Sequence, residues 1–415
     1  MRITIATAVY YPMINGVAVF SHALARGLVK RGHEVLVICP SQTGHNHIEM
    51  QDGVKVCYLK SIQAKVYPDQ IHDVPKKRKL FYRHGFRVSV FPQKEVATIL
   101  DEFCPDVVHV QVSDPIGLSV VGYAKKHNVP VVTTEHNQPE VLTEPLHVPK
   151  LVKRPVNAML SAYFRNRQSK SDFVTMPTKQ AIEHLIYVKG EEFPVPVAAV
   201  SNGVDLSHFK PGKAAKEIYS KYNIPEDKKI VLYVGRVDPE KKVGFVIDAI
   251  SKVLKNGKVK ADEIAVVIVG DGVDKNRLMK KVSSMGLSDT IKFLGRVLPP
   301  DLYELYKVGS LFATASEIET QGIVLIEAAA TGLPLIAVDK GAVAEVCVDG
   351  ENGFLCEAGN IPEISVALEK ILLDDKLRER FSKRSIEIAA EHDFERTLDK
   401  FENIYQKVIK IKNQA

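Results

Sequence analysis

The sequence has few cysteines and lacks the short motifs that usually hold a metal ion. Its 415 residues include five cysteines, and no two of them form a C-x-x-C pair. H-E-x-x-H is absent, cysteine and histidine do not cluster, and no D-x-D stands in a suitable loop, so we expect no metal requirement and no cofactor. Most of the cysteines lie in apolar or strand-like contexts, which is typical of reduced core residues in a cytoplasmic protein.

Long apolar runs and several catalytic motifs are missing as well. We expect neither a signal peptide nor a spanning helix, because the longest apolar region, residues 322–338, is interrupted by Glu327. The G-x-G-x-x-G of dehydrogenases does not follow the first strand, and Gly270-Asp271-Gly272 is followed by Lys275 in place of the last glycine. No Ser-His-Asp or Cys-His arrangement has support. The net charge of +6 favours anionic ligands or membrane surfaces, but no nucleic-acid motif accompanies it, so nucleic acid is not an expected partner.

Strand-like and helical patterns alternate along the first half of the chain. A helix is predicted after the first strand, with Phe20, Leu24 and Leu28 on one face. The predicted strands cover residues 3–10, 34–40, 54–59, 106–112, 130–134, 173–177 and 197–200. Because the strands are almost continuously apolar and helices separate most of them, the pattern predicts a doubly wound parallel sheet.

The same pattern restarts after a polar stretch at residues 205–229, which we interpret as a linker. Further strands are predicted at residues 230–234, 265–270, 291–294, 311–315 and 335–338. The chain therefore predicts two consecutive α/β domains, 1–204 and 205–390, with a ligand cleft between them at the carboxyl ends of the strands. The last segment, 391–415, contains an amphipathic helix that could cross back to the first domain.

Residues 316–334 carry the strongest local signal for a ligand site. A loop with Glu319 leads to Gly322, and a good helix former follows, with Glu327 eight positions after Glu319. The backbone N–H groups of Gly322, Ile323 and Val324 would be exposed at the start of that helix. Such a helix start binds anions, and carboxylates accept hydrogen bonds from sugar hydroxyls, so the stretch suits a sugar diphosphate.

Other candidate residues follow predicted strands. Arg236 and Lys241 come just after the strand at 230–234, where a guanidinium and an ammonium could meet phosphate oxygens. His136 ends a strand of the first domain; a lone histidine there is more often structural, but the position faces the predicted cleft. Gly16 lies in the loop after the first strand, where backbone amides can approach a phosphate closely.

Several motifs together resemble the retaining glycosyltransferases of family 4, which have the GT-B fold. The resemblance covers almost the whole chain and is very specific in this order and spacing. Its motifs are Asn15-Gly16-Val17, Arg31-Gly32-His33-Glu34-Val35, Thr134-Glu135-His136, Asn202-Gly203-Val204-Asp205, Gly235-Arg236 through Lys241, Val269-Gly270-Asp271-Gly272 and the Glu319…Glu327 pair. The sequence departs from the usual pattern in two places: Thr320-Gln321 replaces a Gly-Phe pair, and Lys242 stands where glycine is frequent. The E-T-Q-G form is similar to that of bacterial diacylglycerol glucosyltransferases.

The resemblance implies roles for these residues. It implies that Glu327 holds the ribose hydroxyls of a nucleotide sugar and that Glu319 holds sugar hydroxyls near the reacting carbon. It also implies that His136 contacts the transferred sugar, through either its ring or its backbone carbonyl. The first domain would then receive the acceptor and the second would bind the donor. The implied catalytic set is His136, Arg236, Lys241 and Glu319. The implied donor-binding set is Gly16, Val17, Arg236, Lys241, Gly270, Gly322, Ile323, Val324 and Glu327.

The acceptor is predicted from a segment of the first domain that mixes cations with large apolar side chains. A second such mixture follows at residues 150–165. Segments of this kind can lie on an anionic membrane, although charged runs are usually only solvated loops. The predicted membrane or acceptor residues are Lys76, Lys77, Arg78, Lys79, Phe81 and Arg83.

The sequence thus predicts a retaining hexosyltransferase at a membrane surface, with glucose from UDP-glucose passing to a lipid such as diacylglycerol. The sequence does not decide whether the donor is a UDP-sugar or a GDP-sugar, and it does not indicate the oligomeric state. The alternatives are another acceptor, such as phosphatidylinositol, a glycan or a small soluble molecule, and a nucleotide-sugar epimerase of the same fold. A non-catalytic binding protein is disfavoured, because Arg236, Lys241, Glu319 and Glu327 are all present.

Overall fold

The computed structural model describes residues 1–11, 13, 15–63, 87–111, 114–136, 150–187 and 193–414. The chain divides into two compact units. The first contains Met1–Asn202 together with Thr397–Ala415, and the second contains Gly203–Arg396. Each unit is built around a sheet whose strands are mostly or wholly parallel, with helices as the connections. The predicted doubly wound α/β class is confirmed.

The main sheet of the first unit has eight strands in the order β10-β9-β8-β7-β1-β2-β4-β3. Only the edge pair β3–β4 is antiparallel. β5 and β6 form a separate two-stranded ladder. The strands are β1 Arg2–Ala6, β2 Glu34–Pro40, β3 His47–Gln51, β4 Val54–Leu59, β5 Ile62–Gln63, β6 Arg87–Val88, β7 Val107–Val110, β8 Val131–Thr134, β9 Phe173–Met176 and β10 Val197–Ala199.

Five helices of the described residues connect these strands. The first begins where the Asn15 side chain accepts a hydrogen bond from the Ala18 amide at 2.9 Å, and it buries Phe20, Leu24 and Leu28. The helices are α1 Gly16–Lys30, α2 Gln93–Phe103, α3 Pro115–Lys126, α4 Lys150–Gln168 and α5 Lys179–Tyr187. The strand order reverses between β1 and β7, so the loops that follow these two strands meet at a switch point.

The sheet of the second unit has six parallel strands in the order β13-β12-β11-β14-β15-β16. Its switch point lies between β11 and β14. The strands are β11 Lys229–Val234, β12 Ile264–Val269, β13 Ile291–Gly295, β14 Leu311–Ala313, β15 Leu335–Val338 and β16 Gly353–Cys356. The helices are α6 Lys216–Lys221, α7 Val243–Asn256, α8 Lys275–Ser284, α9 Asp301–Val308, α10 Ile323–Ala330, α11 Ile361–Leu373 and α12 Asp375–Ala390, with short 3-10 turns at Pro239–Lys241 and Gly341–Glu345.

Both faces of this second sheet are covered, which explains why its strands read as continuous apolar runs. Successive residues of β11 belong to different cores: Val231 and Tyr233 pack on one side, and Ile230 and Leu232 on the other. No polar face remains on these strands. The polar ends of the sheet are therefore the places where side chains are available for a ligand.

The last helix, α13 Phe394–Gln414, begins in the second unit and belongs to the first from Thr397 onward. Its apolar face is buried, through Leu398, Phe401, Tyr405 and Val408. Two residues of the R-G-H motif hold its polar side. The Arg31 guanidinium donates to Glu402 at 2.5 Å, and His33 Nε2 lies 2.6 Å from the other Glu402 oxygen. This motif therefore fastens the C-terminal helix.

Two sequence predictions about elements were wrong in detail. The first strand ends at Ala6 and does not reach residue 10, because the Thr7 hydroxyl donates to the Val9 carbonyl at 2.8 Å and turns the chain. The polar stretch 205–229 contains the short helix α6. The Val204 end of the N-G-V-D motif is bridged to Asp393, so this part of the motif has a structural partner within the second unit.

Candidate functional site

The loop after β11 is held against the loop after β12 by glycine. A Cβ on Gly270 would lie 1.8 Å from the Gly235 carbonyl oxygen, and a Cβ on Gly272 would lie 2.3 Å from that of Val237. Both positions therefore exclude any side chain. The Val237 amide donates to the Asp271 carbonyl at 2.9 Å, which ties the two loops together. Gly270 thus shapes the loop that carries Arg236 and Lys241; its predicted contact with a donor stays a prediction.

Arg236 is paired within its own loop. Its guanidinium is hydrogen-bonded to Asp238, and it donates to Glu240 Oε1 at 2.6 Å. Asp238 in turn accepts a hydrogen bond from the Val273 amide at 2.9 Å, so it is fixed by the neighbouring loop. An anion that binds Arg236 would compete with these two carboxylates.

Lys241 and Glu319 meet at the switch point of the second sheet. Lys241 closes the 3-10 turn after β11, and Glu319 lies in the loop after β14. Lys241 Nζ donates to Glu319 Oε1 at 2.7 Å and is 3.3 Å from the Ile318 carbonyl oxygen. The side chains are only 17% and 16% exposed. Sequence reasoning placed both residues at the site but did not predict that they pair.

The start of α10 presents free backbone amides. Gly322 has φ 75°, a left-handed conformation that glycine adopts without strain, and its carbonyl accepts from the amides of Leu325 and Ile326. The amides of Ile323 and Val324 make no hydrogen bond with the residues that the structure describes. No side chain caps this helix start. Such a helix start has the free amides on which the prediction of an anion site depends, and the binding itself stays a prediction.

Glu327 has a partner that sequence reasoning missed. The Tyr306 hydroxyl donates to Glu327 Oε2 at 2.5 Å. Tyr306 is fully buried and packs edge-on against Phe209, which fixes its ring. Burial raises the pKa of the Glu327 carboxyl to about 7, although the Tyr306 hydrogen bond opposes the shift. From sequence, Tyr306 is part of the apolar pattern of the helix Asp301–Val308. This pattern predicts that the ring is buried, but it does not predict which group the hydroxyl contacts.

In the first unit, Gly16 and Val17 begin α1. Gly16 is exposed, and a Cβ there would meet no atom of the described residues within 4 Å. Its φ is not positive, so the backbone does not require glycine at this position. The open space beside the helix start is consistent with the predicted approach of a ligand. That approach remains a prediction.

His136 follows β8 and is buried. Its Nε2 lies 2.7 Å from Gln111 Oε1, and its ring meets the edge of Phe20 at 5.3 Å between centroids. Burial lowers the pKa of His136 to about 4, so the imidazole is neutral near pH 7. Gln111, which comes directly after β7, was not among the predicted site residues. Because Gln111 lies beside the switch point of the first sheet, where ligands bind in such folds, its position could have identified it as a candidate site residue.

The predicted membrane segment lies outside the described residues. This applies to Lys76, Lys77, Arg78, Lys79, Phe81 and Arg83. The described residues on either side are joined by the ladder that pairs Ile62 with Val88 and Gln63 with Arg87. Large apolar side chains are exposed there: Ile62 is 58% exposed and Phe91 is 82% exposed.

Two features of the described residues concern metal ions and membranes. Within these residues, no group of three or more histidine, cysteine, aspartate or glutamate side chains could hold a metal ion. None of the described helices is both long and apolar enough to cross a membrane. All five cysteines are free thiols; Cys104 is exposed and the other four are buried.

Two family descriptions match consecutive parts of the chain. Residues 14–208 match Glycosyltransferase Family 4, and residues 215–388 match Glycosyl transferases group 1. The chain belongs to the family 4 glycosyltransferases. Together the two matches include all the motifs from which the resemblance was predicted. The predicted enzyme class, a hexosyltransferase, is confirmed.

Known proteins resemble this glycosyltransferase over its whole length. The alpha-monoglucosyldiacylglycerol synthase of Streptococcus pneumoniae is 27% identical over 99% of this chain and 91% of its own. The N-acetyl-alpha-D-glucosaminyl L-malate synthase of Bacillus anthracis is 25% identical over 96% of both chains. The solved sucrose-phosphate synthase of Thermosynechococcus elongatus is 17% identical, with a TM-score of 0.75 over 99% of both chains. This last likeness concerns the fold, and the predicted GT-B fold is confirmed.

Proposed function

We propose that this glycosyltransferase moves glucose from UDP-glucose onto a membrane lipid such as diacylglycerol, with retention of the anomeric configuration. The observation that carries the proposal is the whole-length similarity to an enzyme named as a glucosyldiacylglycerol synthase. The E-T-Q-G form of the loop at Glu319 supports it, because this form resembles that of bacterial diacylglycerol glucosyltransferases.

The donor is proposed to bind the second unit through its diphosphate. The amides of Ile323 and Val324, at the positive end of α10, would face the phosphate oxygens. Lys241 and Arg236 supply positive charge from the loop after β11. Glu319 would accept hydrogen bonds from sugar hydroxyls while it holds Lys241, and Glu327 would accept them from the ribose. His136 would contact the transferred sugar.

The proposed reaction breaks the bond between the anomeric carbon and the diphosphate oxygen. Negative charge then develops on the leaving diphosphate, where Lys241 and the helix amides stabilise it. The acceptor hydroxyl attacks the same face of the sugar, and its proton passes to the departing phosphate oxygen. This course accounts for retention without a carboxylate nucleophile and without a metal ion, as the family resemblance implies.

The acceptor is proposed to reach the first unit from a membrane surface. The basic and aromatic segment at residues 76–87 would lie on anionic lipid. Ile62 and Phe91, which flank this stretch of the sequence, are exposed and would add apolar contacts with the lipid in this placement.

A soluble acceptor is the second candidate. It is favoured by the similarity to the enzyme named N-acetyl-alpha-D-glucosaminyl L-malate synthase, which is 25% identical to this chain, compared with 27% for the alpha-monoglucosyldiacylglycerol synthase. Phosphatidylinositol, a glycan acceptor and an epimerase activity belong to the same group of alternatives, because the described site does not depend on the acceptor.

A donor and acceptor matrix tests the proposal. The protein is incubated with UDP-glucose or GDP-mannose, with vesicles containing diacylglycerol or with malate, and nucleotide release and glycolipid are measured. We expect glycolipid only with UDP-glucose and vesicles, an α-linked product by NMR, and the same rate in EDTA. Transfer to malate with none to diacylglycerol would replace the lipid acceptor by a soluble one.

Glu327→Gln is expected to weaken binding of the nucleotide about tenfold, because a neutral amide accepts more weakly from the ribose hydroxyls. The wild-type affinity is also expected to depend on pH. Hydroxyl donors favour the carboxylate, so binding displaces its proton and affinity rises with pH up to the pKa of about 7, then levels off. Calorimetry with UDP at about pH 6, 7 and 8 measures both effects.

Tyr306→Phe is the matched control for this pH dependence. It removes the hydrogen bond that holds the Glu327 pKa down, so the rise in affinity should move to higher pH. Glu327→Gln should abolish the increase of nucleotide affinity with pH. Equal affinity of the Gln variant and the wild type at all three pH values would remove Glu327 from the site.

A further inference from the structure

A row of hydrogen-bonded side chains runs beneath the carboxyl ends of β7 and β8. The Tyr405 hydroxyl, from the C-terminal helix, lies 2.6 Å from His109 Nδ1. His109 Nε2 lies 2.6 Å from the Thr134 hydroxyl, and the Gln111 amide nitrogen is 3.2 Å from the same ring nitrogen. Gln111 Oε1 then reaches His136 Nε2 at 2.7 Å. All five side chains are buried.

The orientation of the Gln111 amide sets the direction of the last hydrogen bond. The Gln111 amide nitrogen is directed at the His109 ring, so the amide oxygen is directed at His136. An amide oxygen only accepts, and His136 Nε2 must therefore carry the proton and donate. In a neutral imidazole the other nitrogen, Nδ1, is then the acceptor. Nδ1 has no hydrogen-bond partner within the part of the chain that the structure describes.

The C-terminal helix supports His136 from a second direction. Phe401 packs on Phe20 at 6.0 Å between centroids, and Phe20 in turn meets the ring of His136. The helix thus reaches His136 by packing through Phe20 and by hydrogen bonds through His109 and Gln111. Fixing a ring in one orientation and one tautomer is what a precise contact with a ligand requires.

We propose that Gln111 is a positioning residue of this glycosyltransferase, holding His136 with Nε2 protonated and Nδ1 free to accept a hydrogen bond from a hydroxyl of the transferred sugar. Tyr405 acts behind it by orienting His109. The proposal rests on the contact between His136 and the sugar that the proposed function includes.

Among the described residues, few titratable groups lie near His136. His109 faces it from β7, Tyr405 stands behind His109 on α13, and Glu135 precedes it. Glu135 Oε2 accepts a hydrogen bond from the Gln168 side chain at 2.8 Å. A carboxylate placed at position 111 would be the group closest to His136 Nε2, and it would favour the protonated imidazolium.

The test uses four variants of the full chain: Gln111→Met, Gln111→Glu, His136→Ala and, as a matched control, Gln168→Met. Nitrogen NMR of 15N-histidine-labelled protein reports the His136 tautomer, assigned by the signal that His136→Ala removes. We expect Gln111→Met to convert a single tautomer into a mixture and to lower kcat about 10-fold to 100-fold. Gln168→Met, which removes an amide of the same kind from Glu135, should leave the tautomer unchanged.

Gln111→Glu distinguishes positioning from mere structural support. Its kcat at saturating donor should fall as pH decreases from about 8 to 6, relative to the wild-type profile, and should recover at higher pH, because only the neutral ring accepts through Nδ1. A wild-type profile in Gln111→Glu, or an unchanged His136 tautomer in Gln111→Met, overturns the proposal. Wild-type kcat in His136→Ala would instead refute the sugar contact, while the NMR result still decides whether Gln111 sets the tautomer.

Discussion

Lys241→Ala is expected to lower the turnover of this glycosyltransferase by a factor on the order of hundreds, because removing one group that stabilises a developing charge costs about 3–4 kcal/mol. The effect should appear in kcat, since the charge on the diphosphate grows as the sugar–phosphate bond breaks. Steady-state kinetics with UDP-glucose and lipid vesicles measures it. The KM for the donor should change much less.

The reason for expecting so large an effect is the environment of the ammonium group. Lys241 is mostly shielded from water and already lies 2.7 Å from Glu319, in the two loops that meet at the switch point. Charge interactions are stronger in such a shielded position than at a free surface. A lysine held there before the donor binds also needs no rearrangement to act.

The controls separate chemistry from folding. Removing Lys241 leaves the Glu319 carboxylate without its partner, which can lower stability, so thermal unfolding must be compared. Lys241→Ala combined with Glu319→Gln relieves that unpaired charge and should not restore turnover. Lys242→Ala is the matched control, because the Lys242 ammonium lies over the Phe245 ring, 5.8 Å from its centroid. The turnover of this variant should stay near that of the wild type. A near-wild-type kcat in a well-folded Lys241→Ala protein would contradict the proposal that Lys241 stabilises the leaving diphosphate.

Replacing Lys76, Lys77, Arg78 and Lys79 together by glutamine is expected to weaken binding to anionic vesicles about 1000-fold. Each cation near such a surface contributes about 1 kcal/mol, and about 4 kcal/mol corresponds to three powers of ten. Vesicle flotation measures the bound fraction. Transfer to lipid should slow in parallel, whereas slow hydrolysis of the donor without acceptor should stay as it was, because that chemistry is proposed for other residues.

Salt and a matched variant decide whether charge is the cause. Attraction between exposed charges is screened over about 8 Å at physiological ionic strength, so wild-type binding should fall as salt rises. The control replaces four exposed lysines of the second unit, Lys252, Lys255, Lys258 and Lys260, by glutamine, with the same change of net charge. Equal flotation of the two fourfold variants, or no flotation of the wild type, would show that residues 76–79 are only a solvated loop.

The sequence by itself determined the fold class and the main parts of the candidate site. Strands that are buried on both faces are continuously apolar, so short runs of sequence were sufficient to predict the strands of the parallel sheets. The turn at Gly322, the helix start after it and Glu327 lie within nine residues of one another, and local spacing is sufficient to predict them. The amphipathic face of the last helix was predicted for the same reason.

Only the tertiary structure decided which of these residues contact each other. Lys241 and Glu319 are 78 positions apart, and His109 and Tyr405 are 296 apart. Such pairs depend on strand order, and strand order is set by the packing of whole layers and not by any local pattern. Tyr306 reads from sequence as one more apolar helix residue, and Gln111 as the end of a strand. Their hydrogen bonds to Glu327 and His136 exist because the fold brings two buried polar groups together and each needs a partner.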